Sequence, residues 1–218
     1  MDELNLVQRI AVWALPVLFA ITVHEVAHGW VARKLGDPTA MMLGRLTLNP
    51  LKHIDPIGTV VVPLALMFMG GFIFGWAKPV PVTWENLRNP KRDMALVAVA
   101  GPLANLAMAI IWALIMKLGF SLGGSASWLA WPLIYMGGAG ITINAVLMLL
   151  NLLPIPPLDG GRVLVGLLPG PAAWQVSRIE PYGFMILLLL LVTGMLGKIL
   201  GPMLGTLEMA LFSIAGMK

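Results

Sequence analysis

The sequence predicts an all-α polytopic membrane protein. It should form a bundle of about four to six transmembrane helices, with a small β or re-entrant element between the first two motif-bearing helices. Three observations carry this. Hydrophobic residues make up 59% of the 218 positions and charged residues 11%, against about 25% charged in a soluble domain. Mean hydropathy is +0.89. Apolar runs at 10–32, 57–75, 94–118, 128–153 and 182–200 approach the roughly 20 residues that a helix needs to cross a bilayer. Residues 1–218 read as a single membrane domain, with 10–165 as its core and 166–218 as C-terminal membrane segments. The net charge of +4 belongs to topology rather than to nucleic-acid binding, because the basic residues flank apolar runs. No cysteine is present, so a metal must be held by His, Asp or Glu, a donor set that suits zinc.

The first run carries the most informative motif. From Ile10 to Ala32 the only ionisable side chains are His24, Glu25 and His28. Such groups are costly in hydrocarbon and need a reason to be there. Positions i and i+4 share a helix face, so both imidazoles can meet one metal ion. Glu25 beside them can act as base toward a water that the metal activates. A run with this motif is not expected to be a discarded signal peptide.

Orientation follows from the basic residues. Arg33, Lys34, Arg45 and Lys52 occupy 33–56, and Lys78, Arg88, Lys91 and Arg92 occupy 76–93, whereas 119–127 has no charge. Both basic regions are therefore expected on the cytoplasmic side. His24 lies nine residues before Arg33, which is roughly 13 Å along a helix. A single crossing by 57–75 would put 76–93 on the wrong side. Pro63, Gly70, Gly71 and Gly75 favour a path that enters and returns. His53 and Asp55, in a proline-bounded polar loop, read as interfacial or gating residues rather than as ligands. Trp30, Trp76, Trp128 and Trp131 fall near the expected interfaces.

The run 94–118 carries Asn105, and 128–153 carries Asn144 and Asn151. All three suit interhelical hydrogen bonding. Pro154, Pro156 and Pro157 then stop the helix. Gly160 and Gly161 permit a tight turn after Asp159. Asp159 caps the next helix, pairs with Arg162, or supplies the third metal ligand. Beside an intramembrane His-Glu-x-x-His the ligand role is favoured, since catalytic zinc usually takes three protein ligands. The run 182–200 reads as one span. The weaker stretch 203–217, with Glu208, reads as an interfacial helix or a short last span.

His24-Glu25-Val26-Ala27-His28 with the distant NLLPIPPLDGGR at 151–162 resembles the site-2 proteases, intramembrane zinc metalloproteases. AGPLAN at 100–105, GRLTLNPLKHIDPIGT at 44–59 and GWAKPVPV at 75–82 add to the likeness. It covers about residues 10–165 and looks most like the compact bacterial members without a PDZ or CBS domain. The resemblance implies one Zn2+ per chain on His24, His28 and Asp159, with Glu25 as general base. It implies that Asn105 and Asn151 hold substrate backbone or the developing oxyanion. Its substrates would be transmembrane proteins in the lipid bilayer of a bacterial inner membrane, cut near the cytoplasmic side; without a PDZ or CBS domain the source of regulation stays open, a separate regulatory protein being one candidate partner. No nucleic-acid partner is expected. A substrate helix must unwind, and its freed backbone then needs partners. Pro79 and Pro81 remove donors from one edge of 78–83, leaving Val80 and Val82 to pair with substrate or with 43–48. Alternatives are a divalent-metal transporter using the His/Asp site, or a silent membrane scaffold.

Overall fold

Small and polar residues at four-residue spacing decide how the first helix packs. The computed structural model describes residues 4–61 and 77–217. Helix α1, Leu6–Lys34, begins with a capping box in which Asn5 and Gln8 exchange side-chain to backbone hydrogen bonds. Its buried positions include Val12, Pro16, Ala20, His24, His28 and Ala32. They form one i, i+4 ridge, the kind of row that fits into the groove of a neighbouring helix. Both histidines therefore face protein rather than lipid.

After α1 come the short helix α2, Thr39–Met42, and 3-10 turns at Pro50–Lys52 and Trp84–Asn86. Then follow the long helices α3, Pro90–Leu122, and α4, Ser127–Asn151. These two form the most extensive helix pair. Glycine permits their approach: a Cβ on Gly137 would lie 2.6 Å from the Cβ of Met116, and one on Gly140 would lie 2.2 Å from Cγ of Trp112. The core between them joins Ala109, Trp112, Ala113 and Met116 to Ile141 and Ala145.

Helix α5, Asp159–Leu167, leads into α6, Gly170–Ser177, α7, Gly183–Val192, and α8, Met195–Ile214. Among the described residues, five helical stretches are long and apolar enough to cross a membrane: 6–34, 90–122, 127–151, 170–192 and 195–214. The expected single span over 182–200 is corrected. Gly194 has φ 71°, a left-handed conformation that ends α7 and starts α8. Residues 203–214 belong to α8, whose Leu211 packs into the α3–α4 core together with Ala215 just beyond it. Glu208 accepts a hydrogen bond from Thr142 on α4 at 2.7 Å.

The expected strand pairing is also absent among the described residues. Residues 43–48 bend, with Gly44 at φ 63°. Residues 77–83 are extended but unpaired as a ladder, because their polar groups meet side chains. Arg45 donates to the carbonyls of Lys78 and Pro79, and Val80 N–H donates to Glu25. A strand ladder needs those groups for itself. The re-entrant reading of 57–75 falls largely outside the described residues. On its flanks, Lys78 N–H donates to the carbonyl of His53 at 2.9 Å, so 33–56 and 77–89 meet at one end of α1.

Candidate metal centre

Three side chains from two distant parts of the chain converge. His24 Nε2 and His28 Nε2 are 3.0 Å apart. Asp159 Oδ2 lies 3.3 Å from each of them. All three residues are buried.

The outer ring nitrogens settle the chemistry. His28 Nδ1 is 2.7 Å from the carbonyl oxygen of Val97, which can only accept, so Nδ1 carries the proton. His24 Nδ1 is 2.6 Å from Asn105 Oδ1 and donates to it in the same way. In neutral imidazoles both Nε2 atoms then present lone pairs. Asp159 Oδ2 is buried and receives no hydrogen bond. Three lone-pair donors facing one another without a proton between them repel unless a cation lies at their centre. Tetrahedral zinc bonds of about 2.0–2.1 Å place neighbouring ligand atoms about 3.3 Å apart, close to the spacing here. The residues thus fit a zinc ion.

Each element contributes for a local reason. On α3, residues 97, 101 and 105 are one turn apart and run antiparallel to His28 and His24. The Val97 carbonyl takes His28, and Asn105 takes His24. Between them a Cβ on Gly101 would lie 2.5 Å from both His24 Cε1 and His28 Nε2. Only a glycine lets α3 lie flat against the rings. Asp159 is the first residue of α5, after an extended Leu158. A Cβ on Gly160 would lie 2.3 Å from the Leu152 carbonyl oxygen, and one on Gly161 2.3 Å from Pro156 N. Neither has positive φ. The expected tight turn is corrected: these glycines serve close approach of the helix start to the proline-rich return.

Glu25 is held from the other side. The Val80 N–H donates to its Oε2 at 2.7 Å. Val80 is buried against α1, where a Cβ on Gly29 would lie 2.9 Å from Val80 Cγ1. The extended segment is itself pinned by Asp37, which accepts from Thr83 N–H at 2.7 Å and from Asn86 Nδ2 at 3.1 Å.

Peptidase family M50 matches residues 12–124. The chain is 38% identical over 200 residues to "Putative zinc metalloprotease YwhC" of Bacillus subtilis, spanning 87% of this chain and 84% of that protein. The chain belongs to peptidase family M50, the site-2 protease family. "Putative zinc metalloprotease Rip2" of Mycolicibacterium smegmatis is 31% identical over 183 residues, 83% of this chain and 66% of its own length. "Putative zinc metalloprotease MJ0611" of Methanocaldococcus jannaschii is 33% identical over 163 residues, with 75% and 72% covered. No solved structure matches the chain. Family and long apolar helices together make this M50 peptidase an integral membrane protein.

The remaining expected residues of the M50 chain are placed as follows. Asn105 is fully buried beneath His24, with its amide nitrogen on the Ala20 carbonyl and on Asn144. Asn151 ends α4 and donates back to the Leu147 carbonyl at 2.9 Å. It is not brought into the three-residue cluster. Val82 lines a cavity of about 210 Å³ with Trp84, Pro156 and Arg162. His53 is buried, with Nε2 2.9 Å from the Thr47 carbonyl. Asn144, expected as interhelical hydrogen-bonding glue, does join α4 to Asn105 on α3, whereas the close-approach roles of Gly29 and Gly101 were not foreseen. Gly29 directly follows the second histidine, and Gly101 lies one turn before Asn105, which is the signal that was available.

Proposed function

We propose that this M50 peptidase is a zinc-dependent intramembrane endopeptidase that hydrolyses peptide bonds within locally unwound transmembrane segments, as part of regulated intramembrane proteolysis. One observation carries the reading. Three potential metal-ligand atoms, two imidazole nitrogens and a carboxylate oxygen, converge beside a second carboxylate on a helix long enough to span the bilayer. His24, His28 and Asp159 would hold one zinc. When bound, zinc supplies a Lewis acid that polarises a carbonyl and eases ionisation of water.

The chain's own residues do the rest. Glu25 accepts a proton from the attacking water as the C–O bond forms, then delivers it to the leaving nitrogen as the C–N bond breaks. The Val80 N–H holds the carboxylate in place for both transfers. Among the described residues no hydrogen bond engages the backbone of Val82. Val82 is the better placed of the two valines to pair with an unwound substrate backbone. Asn151 at the end of α4 retains its proposed substrate contact. Asn105 acts on His24 first. Substrates are transmembrane proteins in a bacterial inner membrane, cut toward the cytoplasmic side. A separate protein provides regulation.

Glu25→Gln tests this in purified protein with a model transmembrane substrate. Zinc content should stay near one per chain, while cleavage falls by about 10²-fold or more. Undiminished turnover would refute the assignment. Zinc flux across vesicles without cleavage would select a transporter.

A further inference from the structure

Asn144 is uncharged and fully buried on α4, and among the described residues its side-chain hydrogen bonds go to Gly140 and Asn105 rather than to a histidine. Its side-chain nitrogen donates to the Gly140 carbonyl at 2.8 Å. A carbonyl only accepts, so the amide has one orientation, with Oδ1 turned toward α3. That oxygen accepts from Asn105 Nδ2 at 2.9 Å. Asn105 Nδ2 also donates to the Ala20 carbonyl at 3.2 Å. Flipping Asn105 would point its oxygen at two acceptors. Its Oδ1 must therefore face His24 Nδ1, 2.6 Å away.

We propose that Asn144 is a positioning residue that sets the tautomer of His24 through Asn105. The chain Gly140–Asn144–Asn105–His24 runs in one direction. It starts from a fixed backbone acceptor and ends by requiring a proton on His24 Nδ1. The lone pair of Nε2 is then aimed at His28 and Asp159. His28 needs no such device, because the Val97 carbonyl sets its tautomer directly. Second-shell partners of this kind hold a ligand's ring angle and protonation and tune metal affinity. The inference rests on the reading of His24 as a metal ligand, but the tautomer is fixed whether or not metal is bound.

The chain has three histidines, so ¹⁵N spectra of histidine-labelled protein are assignable by single replacements. In metal-free full-length protein at about pH 8.5, well above the ordinary imidazole value of about 6.5, wild-type His24 should show the Nδ1–H tautomer. Asn144→Leu should shift His24 toward a mixture and leave His28 and His53 unchanged. Its zinc affinity, read by competition with a chromophoric chelator, should drop about tenfold or more. Asn144→Ala serves if the leucine variant does not fold, with the same outcomes. An unchanged His24 signal in a folded variant would overturn the proposal, as would equal shifts at all three histidines. Failure of the metal reading is separate: zinc would then bind with equal affinity to His24→Ala and to wild type.

Discussion

Glu25 and the backbone N–H of Val80 form the contact on which the proposed chemistry most directly depends. It was only half legible. The i, i+4 spacing of His24 and His28 is written in the sequence, because helical periodicity alone puts them on one face. Asp159 was legible through its prolines and through the scarcity of ionisable groups in apolar runs. The partners of those residues were not legible. Which amide reaches Glu25, and which way Asn105 turns, follows from tertiary contact and leaves no periodic trace. Val80 was expected to offer its N–H to substrate, yet that donor is spent on Glu25. Val80→Pro removes the donor and should lower kcat roughly 10- to 100-fold with zinc content and KM little changed. Val82→Pro should raise KM instead. Steady-state kinetics on the two variants separate these outcomes, and equal effects on both would contradict the division of roles.

At the scale of elements, helices were easier to foresee than the connections that carry the site. Long apolar runs gave α1, α3 and α4 with each boundary within four residues of the observed one. The missing strands show why loops resist such reading. The alternation in 43–48 and the prolines in 78–83 suggested a ladder, but Arg45, Glu25 and Asp37 take the backbone groups that a ladder would need. The start of α5 is the most constrained connection. Leu152 and Leu153 pass so close to Gly160 that a Cβ would lie 2.3 Å from the Leu152 carbonyl oxygen. Gly160→Ala forces that backbone apart and should cost about 1–3 kcal/mol. Because Asp159 adjoins it, zinc stoichiometry should also fall below one per chain. Thermal unfolding and metal analysis of the same sample check both effects.

The whole molecule is organised around one end of α1. Residues 33–56, the segment 77–89 and the return leading to Asp159 gather there. Asp37 is the tie between the first two. Burial opposes its ionisation. Hydrogen bonds from Thr39, Asn86 and the backbone N–H groups of Thr39 and Thr83 outweigh burial and hold its carboxyl below the usual value. A depressed pKa stabilises the fold above the unfolded-state value of about 3.9 and loses that contribution as pH falls through the folded value. Asp37→Asn should therefore be less stable than wild type at neutral pH, by about 1–3 kcal/mol. The gap should close in acid. Unfolding measured in detergent from about pH 7 down to 3 reads the convergence, and a gap constant across that range would show that Asp37 is not ionised in the fold.

Depth within the bilayer is what separates this account from that of any other zinc hydrolase. His24, a ligand in the proposed site, lies nine residues before Arg33, roughly 13 Å along a helix. The decisive measurement is the position of the cut. Purified protein in liposomes is given a substrate with one transmembrane segment, with and without chelator, and the products are sized by mass spectrometry. The account predicts a chelator-sensitive cut inside the apolar segment, nearer its cytoplasmic end, and absent with Glu25→Gln. A cut confined to the substrate's water-exposed tail, or one that survives both chelator and Glu25→Gln, would contradict it.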